Sequence, residues 1–171
     1  ADALGRAGHY GYKQRPDDLR FHLARARLRE RGFGSASKSI AHFSKQLEGK
    51  RYRNEIAASY GYALALTRGN QIGAARTVAD ELLARHPNQA EFIILDAQLD
   101  AKNGAQERAL KTLQTSAGLR PSNVPLRLAY ADILMASGHA ARALSTLEDV
   151  ARRRPGNSLI YQKMSDAALK S

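Results

Sequence analysis

Cysteine and tryptophan are both missing from this chain of 171 residues. Without cysteine there is no disulfide scaffold, no thiolate nucleophile and no thiolate-bound metal. Aromatic residues make up only 6% and proline occurs five times. The β-branched and aromatic runs that strands favour are scarce. No apolar run approaches the roughly 18–20 residues that a membrane-spanning helix needs. Acidic residues are few as well, 16 against 27 Lys and Arg, for a net charge of +11. The chain opens on Ala1 with no signal peptide in view, which reads as a domain cut from a longer protein.

What is present is a helix-forming mixture rich in Ala, Leu and Arg. Hydrophobic residues reach 43% and mean hydropathy is -0.47, so the chain can bury a core. Basic charge concentrates towards the start. Residues 1–55 carry 13 basic and 6 acidic side chains, and residues 56–171 carry 14 and 10. Such a segment suits nucleic acid, anionic lipid or an acidic protein. The basic residues are not interleaved with stacking aromatics, however, which argues against a nucleic-acid groove and for solvated helix faces.

A period of 34 residues organises the rest. Pro87, Pro121 and Pro155 fall 34 apart, each after a basic residue (His86, Arg120, Arg154). Proline cannot continue a helix, so each marks a stop. Ala63, Ala97 and Ala131 form a second column, and Ala75, Ala109 and Ala143 a third. Small side chains recur where two helices must cross closely. Ala79, Leu113 and Leu147 give an apolar position one turn later. Asn103-Gly104 and Ser137-Gly138 supply turns between paired helices, and Gly69-Asn70 takes that role one residue out of register. The spacing predicts first (A) helices near 54–68, 89–103 and 123–137, with second (B) helices near 71–85, 105–118 and 139–153. Pro125 falls in a first turn, where a missing N–H matters least.

The pattern extends to both ends. Phe21, Ala24 and Leu28 predict an apolar helix stripe after an acidic start at Asp17-Asp18. Gly32-Phe33-Gly34 then predicts a turn, Ile40, Phe43 and Leu47 a second helix, and Gly49 its end. After Pro155 a lone A-type helix places Ser165 in the small column, with Leu159, Ile160 and Met164 docking on the last pair. A 34-residue helix pair is the signature of the tetratricopeptide repeat (TPR). The expected fold is all-α, a TPR-like right-handed superhelical array of about four helix pairs plus a capping helix. The units are 18–55, 56–89, 90–123, 124–157 and the final helix 158–171, after a lead-in of residues 1–17. The usual large aromatic early in helix A is replaced by Ser59, Ile93 and Arg127, with Tyr62 and Tyr130 three residues later.

A search for catalytic chemistry finds little. The five histidines (His9, His22, His42, His86, His139) include no i, i+4 pair with an intervening Glu of the zinc-helix kind. His86 and His139 read as helix-end residues near free carbonyls. Asp80-Glu81 and Glu148-Asp149 read as solvated surface. No serine has a nucleophile-elbow context, and Gly32-Phe33-Gly34 lacks the lysine and strand of a phosphate loop. The expectation is a domain that is no enzyme, with no metal or cofactor of its own, binding a protein or peptide. In such arrays A helices line the concave groove. By register its lining comprises His22, Arg25 and Arg29, then Tyr60, Leu64 and Arg68, then Ile94, Gln98 and Lys102, and finally Leu128, Asp132 and Met135. Tyr60 and Leu128 alternatively pack between neighbouring A helices. The regular Lys/Asn pattern of a carboxylate clamp is not there.

One stretch is more specific. Residues 1–30 read Ala1-Asp2-Ala3, Arg6-Ala7, Tyr10-Gly-Tyr12-Lys-Gln-Arg15, Asp17-Asp18-Leu19 and Phe21-His22-Leu23-Ala24-Arg25-Ala26-Arg27-Leu28. This resembles the junction between protease and TPR domains in bacterial periplasmic zinc metalloproteases of the β-barrel assembly-enhancing type. Asn54-Glu55 followed by Tyr60-Gly61-Tyr62-Ala63-Leu64-Ala65-Leu66 is similar to that family's second repeat. The resemblance implies a periplasmic location and partners among outer-membrane assembly machinery or unfolded outer-membrane proteins. It also implies a parent protease whose His-Glu-x-x-His zinc site lies before the array, so no residue here inherits a catalytic or metal role. Two other readings remain: a free-standing TPR adaptor in envelope or secretion assembly, and a basic helical repeat that binds nucleic acid.

Overall fold

A computed structural model of the chain describes residues 19–48 and 55–170. Among them lie nine α-helices and no strand. In order they are α1 (Leu19–Gly32), α2 (Ala36–Glu48), α3 (Glu55–Arg68), α4 (Ile72–Arg85), α5 (Ala90–Lys102), α6 (Gln106–Leu119), α7 (Val124–Ala136), α8 (Ala140–Arg153) and α9 (Ser158–Ala168). This is an all-α helical repeat array. From α3 to α8 the helix bounds match the 34-residue reading to within one residue, while α9 starts at Ser158 as expected and ends at Ala168, short of the expected 171. Asp17, Asp18 and Gly49, together with residues 1–18 of the resemblance, lie outside the described residues.

The periodic columns are the core. Ala63, Ala97, Ala75, Ala79, Ala109, Leu113 and Ala143 are fully buried, and Ala131 and Leu147 nearly so. The turns repeat too. Asn70, Gly104 and Gly138 have φ of 59°, 84° and 77°, a left-handed conformation that Gly and Asn adopt most readily. The following N–H groups reach back across each turn: Gln71 to the Leu66 carbonyl (2.9 Å), Ala105 to Asp100 (2.8 Å) and His139 to Leu134 (2.8 Å). These bonds satisfy carbonyls that a helix end leaves free. They also correct the expected slip at Gly69-Asn70. Asn70 itself takes the left-handed position, so the first turn is in register and no residue is extra. His139 is the N-cap of α8 rather than a residue at a carbonyl-bearing helix end.

Entry into the last two A-type helices, α7 and α9, is also encoded. Asn123 Oδ1 accepts from the Leu126 N–H and Asn157 Oδ1 from the Leu159 N–H, each at 3.1 Å. Both are N-caps 34 residues apart. Arg120, just before Pro121, donates from Nη1 to the Asn88 carbonyl at 2.6 Å. It thereby ties one inter-pair turn to the previous one.

The chain divides into two compact units, Ala1–His86 and Pro87–Ser171. In the first, α1 and α2 pack against α3, which in turn packs against α4. The buried stripe of α1 is Leu23, Ala26 and Glu30, which corrects the expected Phe21–Ala24–Leu28 stripe. Ala24 is exposed and Leu28 is 45% exposed. Apolar residues occupy two opposite sides of this helix, so periodicity alone could not say which one faces inward. On α2, Phe43 is buried, and its ring lies against the α3 backbone at Gly61. A Cβ at Gly61 would fall well inside van der Waals contact with that ring. Gly61→Ala is therefore expected to destabilise by about 1–3 kcal/mol, although alanine is the better helix former by about 1 kcal/mol. Urea denaturation of Gly61→Ala beside Gly73→Ala, which has open space around it, checks the sign.

In the second unit, Ala131, Leu134, Ala143, Leu147 and Ala167 join α7, α8 and α9. Val150, Ala151 and Ile160 form a neighbouring cluster. Ile160 and Met164 dock on the last pair as expected, but Leu159 is 49% exposed. Ser165 is exposed as well, while Ala167 is buried. No described helix follows α9 to cover the side on which Ser165 lies.

Candidate binding site

The structure separates the groove candidates into core, clamp and surface. Tyr60 is fully buried and Ile94 is 3% exposed, so neither offers a surface to a ligand. This corrects both assignments: inward packing of α3 and α5 claims those positions. Arg68 is corrected too. Its Nη1 donates to the Phe33 carbonyl (3.1 Å), its Nη2 to the carbonyls of Glu30 and Ser35 (3.2 Å each), and its Nε pairs with Glu30 Oε1 at 2.8 Å. The guanidinium pins the α1–α2 turn to the end of α3. Its planar fork of donors suits that task.

Of the other candidates in the first unit, Leu64 and His22 are half-buried, while Arg25 and Arg29 are exposed. His22 lies edge-on to Phe21 with ring centroids 5.6 Å apart. The Arg25 guanidinium lies 5.8 Å from the Phe21 ring centre. In the second unit Gln98 is half-buried and Lys102 exposed. Leu128 packs against the Val150–Ile160 cluster.

Asp132 and Met135 are the two candidates that come together. They line a cavity of about 450 Å³ formed with Ala131, Leu147, Lys163, Asp166, Leu169 and Lys170. Its floor is apolar and its rim is charged. Asp132 pairs with Lys163, and Leu169 stands 84% exposed. The final helix, expected only to cap the array, also supplies a wall of the cavity through residues 163–170. The signal was present, since Asp166 and Leu169 lie 34 residues after Asp132 and Met135. Asp166 in α9 and Leu169 at its C-cap continue both A-helix columns.

One charged pair explains a departure from the repeat pattern. Arg127 stands where a large aromatic is usual, with its side chain 13% exposed, and donates to Asp149 Oδ2 at 2.9 Å. That hydrogen bond, with the charges of Arg152 and Arg127, holds the Asp149 carboxyl below the ordinary carboxylate range. Asp149 is thus a partner of α7 rather than solvated surface. Asp149→Ala is expected to lower the Tm more than Glu148→Ala, whose side chain is exposed, because it leaves Arg127 with its charge and without this acceptor.

His42 packs with the rings of Phe33 and Phe43 in a cluster of three, its centroid 4.9 and 5.2 Å from theirs. Its Nε2 is buried without a hydrogen-bond partner. Burial, and then the positive charge of Arg29, push its pKa below the ordinary value. The neutral ring is therefore favoured in the folded state. Its contribution is present above about pH 6.5, the unfolded value, and is lost as pH falls through the lowered folded value. The fall in Tm between pH 7 and pH 5 is expected to be shallower in His42→Phe.

Among the described residues no three His, Cys, Asp or Glu side chains could hold a metal ion, and no helix is long and apolar enough to cross a membrane. The tetratricopeptide repeat family model matches residues 101–167. No curated protein sequence matches the chain. Solved structures do. A thermophilic TPR protein of Thermus thermophilus superposes with a TM-score of 0.68 at 18% identity, over 98% of this chain and 93% of the other. A TPR protein of Parabacteroides merdae gives 0.65 at 14%, over 95% of this chain and 64% of the other. YrrB, described as a TPR protein with an unusual peptide-binding site, gives 0.51 at 16%, over 95% and 82%. By fold, then, the chain is a TPR-like array of helix pairs, and over residues 101–167 its sequence matches the tetratricopeptide repeat.

Proposed function

We propose that the chain is a protein-interaction domain that seats an extended peptide or loop against α7 and α9. The observation that carries this reading is the cavity between those helices. An apolar floor with a few charged groups at the rim suits a short segment held by one or two apolar side chains and oriented by its polar groups. The repetition of Asp132 and Met135 by Asp166 and Leu169 gives successive helices similar chemistry on one face. The likeness to YrrB, whose description names a peptide-binding site, supports the same reading.

The parent protein in this proposal is a periplasmic zinc metalloprotease of the β-barrel assembly-enhancing type. The array presents unfolded outer-membrane proteins, or the machinery that assembles them, to a protease domain that supplies the zinc. The resemblance at residues 10–28 and 54–66 supports it.

Calorimetric titration with peptides from an outer-membrane β-barrel protein tests the binding site. Leu169→Asp or Asp166→Lys is expected to weaken binding about tenfold, equivalent to about 1.4 kcal/mol, with Tm unchanged. Wild-type affinity in both variants would place binding elsewhere. The parent gene tests the rest: a reading frame lacking an upstream His-Glu-x-x-His overturns the protease assignment and leaves the interaction domain standing.

A further inference from the structure

Helix α1 carries a second, chemically different surface. Its buried residues Leu23, Ala26 and Glu30 fall on one side at about 100° per residue. Phe21, Ala24 and Leu28 fall on the opposite side. Leu28 is 45% exposed, Ala24 is exposed and Phe21 is half-buried. Arg25 and Arg29 project along one flank of this apolar strip and Arg31 along the other, and all three are exposed.

Residues 19–48 contain seven Lys and Arg but only two acids, Glu30 and Glu48. Glu30 is committed to Arg68, and Glu48 Oε1 accepts from Ser44 Oγ at 3.0 Å. The positive flanks of α1 are therefore answered by neither acid. We propose that this face of α1 is a docking site for an amphipathic helix of a partner protein that carries apolar residues at i, i+3/i+4, i+7 spacing between rows of Asp and Glu.

The chemistry selects this occupant over others. A second copy of the chain would bring one net charge of +11 against another. Bare nucleic acid would use the arginines and leave Phe21 and Leu28 facing a polar backbone. An anionic membrane would engage both features, but one leucine, one alanine and a half-buried phenylalanine give little apolar area to insert. A helix with an apolar stripe and acidic edges matches the centre and both flanks. The inference shares with the function proposed above only the idea of a protein partner. Its surface and its variants are separate, so either can fail alone.

The test titrates the full chain with a designed 21-residue helical peptide that carries Leu at a, d and e heptad positions and Glu beside them. A scrambled peptide of equal composition, a 20-nucleotide single strand and phosphatidylserine-containing vesicles serve as competitors. Saturable binding of the designed peptide is expected, at least tenfold tighter than the scrambled one and weaker at high salt. Leu28→Glu, and separately Arg25→Glu with Arg29→Glu, are expected to reduce affinity tenfold or more. These side chains are exposed, so the circular dichroism spectrum and Tm should hold, and Leu169→Asp should bind normally. No binding of the designed peptide, equal binding of the scrambled one, or insensitivity to Leu28→Glu overturns the proposal. Tighter binding of the oligonucleotide or the vesicles overturns it in favour of that ligand.

Discussion

Arg108→Ala is expected to destabilise the second unit by about 2–3 kcal/mol. Asp100 sits in the last turn of α5 with its side chain 2% exposed. Arg108, from the first turn of α6, grips it with two donors: Nε to Oδ2 at 2.8 Å, and Nη2 to Oδ1. Removing the guanidinium leaves a carboxylate in the interior without its bidentate partner, a more costly state than never having placed the charge there. The figure lies below the range for fully buried pairs because Arg108 is itself 65% exposed, so water reaches the site. Removing both charges together is expected to recover much of the loss. Arg108→Ala, Asp100→Ala and the double variant, compared by urea denaturation, form the cycle that separates pair energy from desolvation. If Arg108→Ala matches the wild type, Asp100 is adequately solvated without its partner.

Ala97→Leu and Ala131→Leu are each expected to cost about 1–3 kcal/mol. Ala97 is fully buried and Ala131 is 1% exposed, in the column where the 34-residue period places the helix crossings. A leucine there must push the helices apart or leave its preferred rotamer. In Ala131→Leu the strain falls on Leu134, Ala143 and Leu147, its neighbours in the core. In an array stabilised by nearest-neighbour contacts, the damage should be local. Hydrogen exchange should quicken in α7 and α8 for this variant before it quickens elsewhere in the unit. Unchanged Tm values for both variants would mean that the Ala97–Ala131 column does not mark the crossings.

Much of this fold was legible because its period is written in residues with few alternatives. Alanine at 63, 97 and 131 tolerates a close crossing, proline at 87, 121 and 155 stops a helix, and glycine at 104 and 138 takes a left-handed turn. The first pair was harder to read. Helix α1 has apolar residues on two sides, and its interior includes a glutamate whose charge is met by Arg68 from α3. Helical periodicity cannot identify a side chain that is buried through an ion pair formed 38 positions away. The candidate site was half legible. Asp132 and Met135 were found by register, whereas Asp166 and Leu169 needed the same register carried into a helix first read as a cap. Tyr60 and Ile94 were expected at the groove and lie in the core. Both belong to one column with Leu128, and that column packs inward; a repeat spacing says which positions are equivalent but not which face of the helix meets the core.

The shared period also dictates where the chain can change length. One residue inserted into α7 ahead of Ala131 would rotate everything after it by about 100°. Ala131 and Leu134 would leave the α8–α9 core together, and Asp132 and Met135 would leave the cavity rim with them. The same residue inserted between Arg120 and Asn123 would lengthen a surface turn and leave every helix face where it is. Insertions and deletions in relatives of this chain should therefore collect in the turns near Pro87, Pro121 and Pro155, or arrive as whole 34-residue pairs.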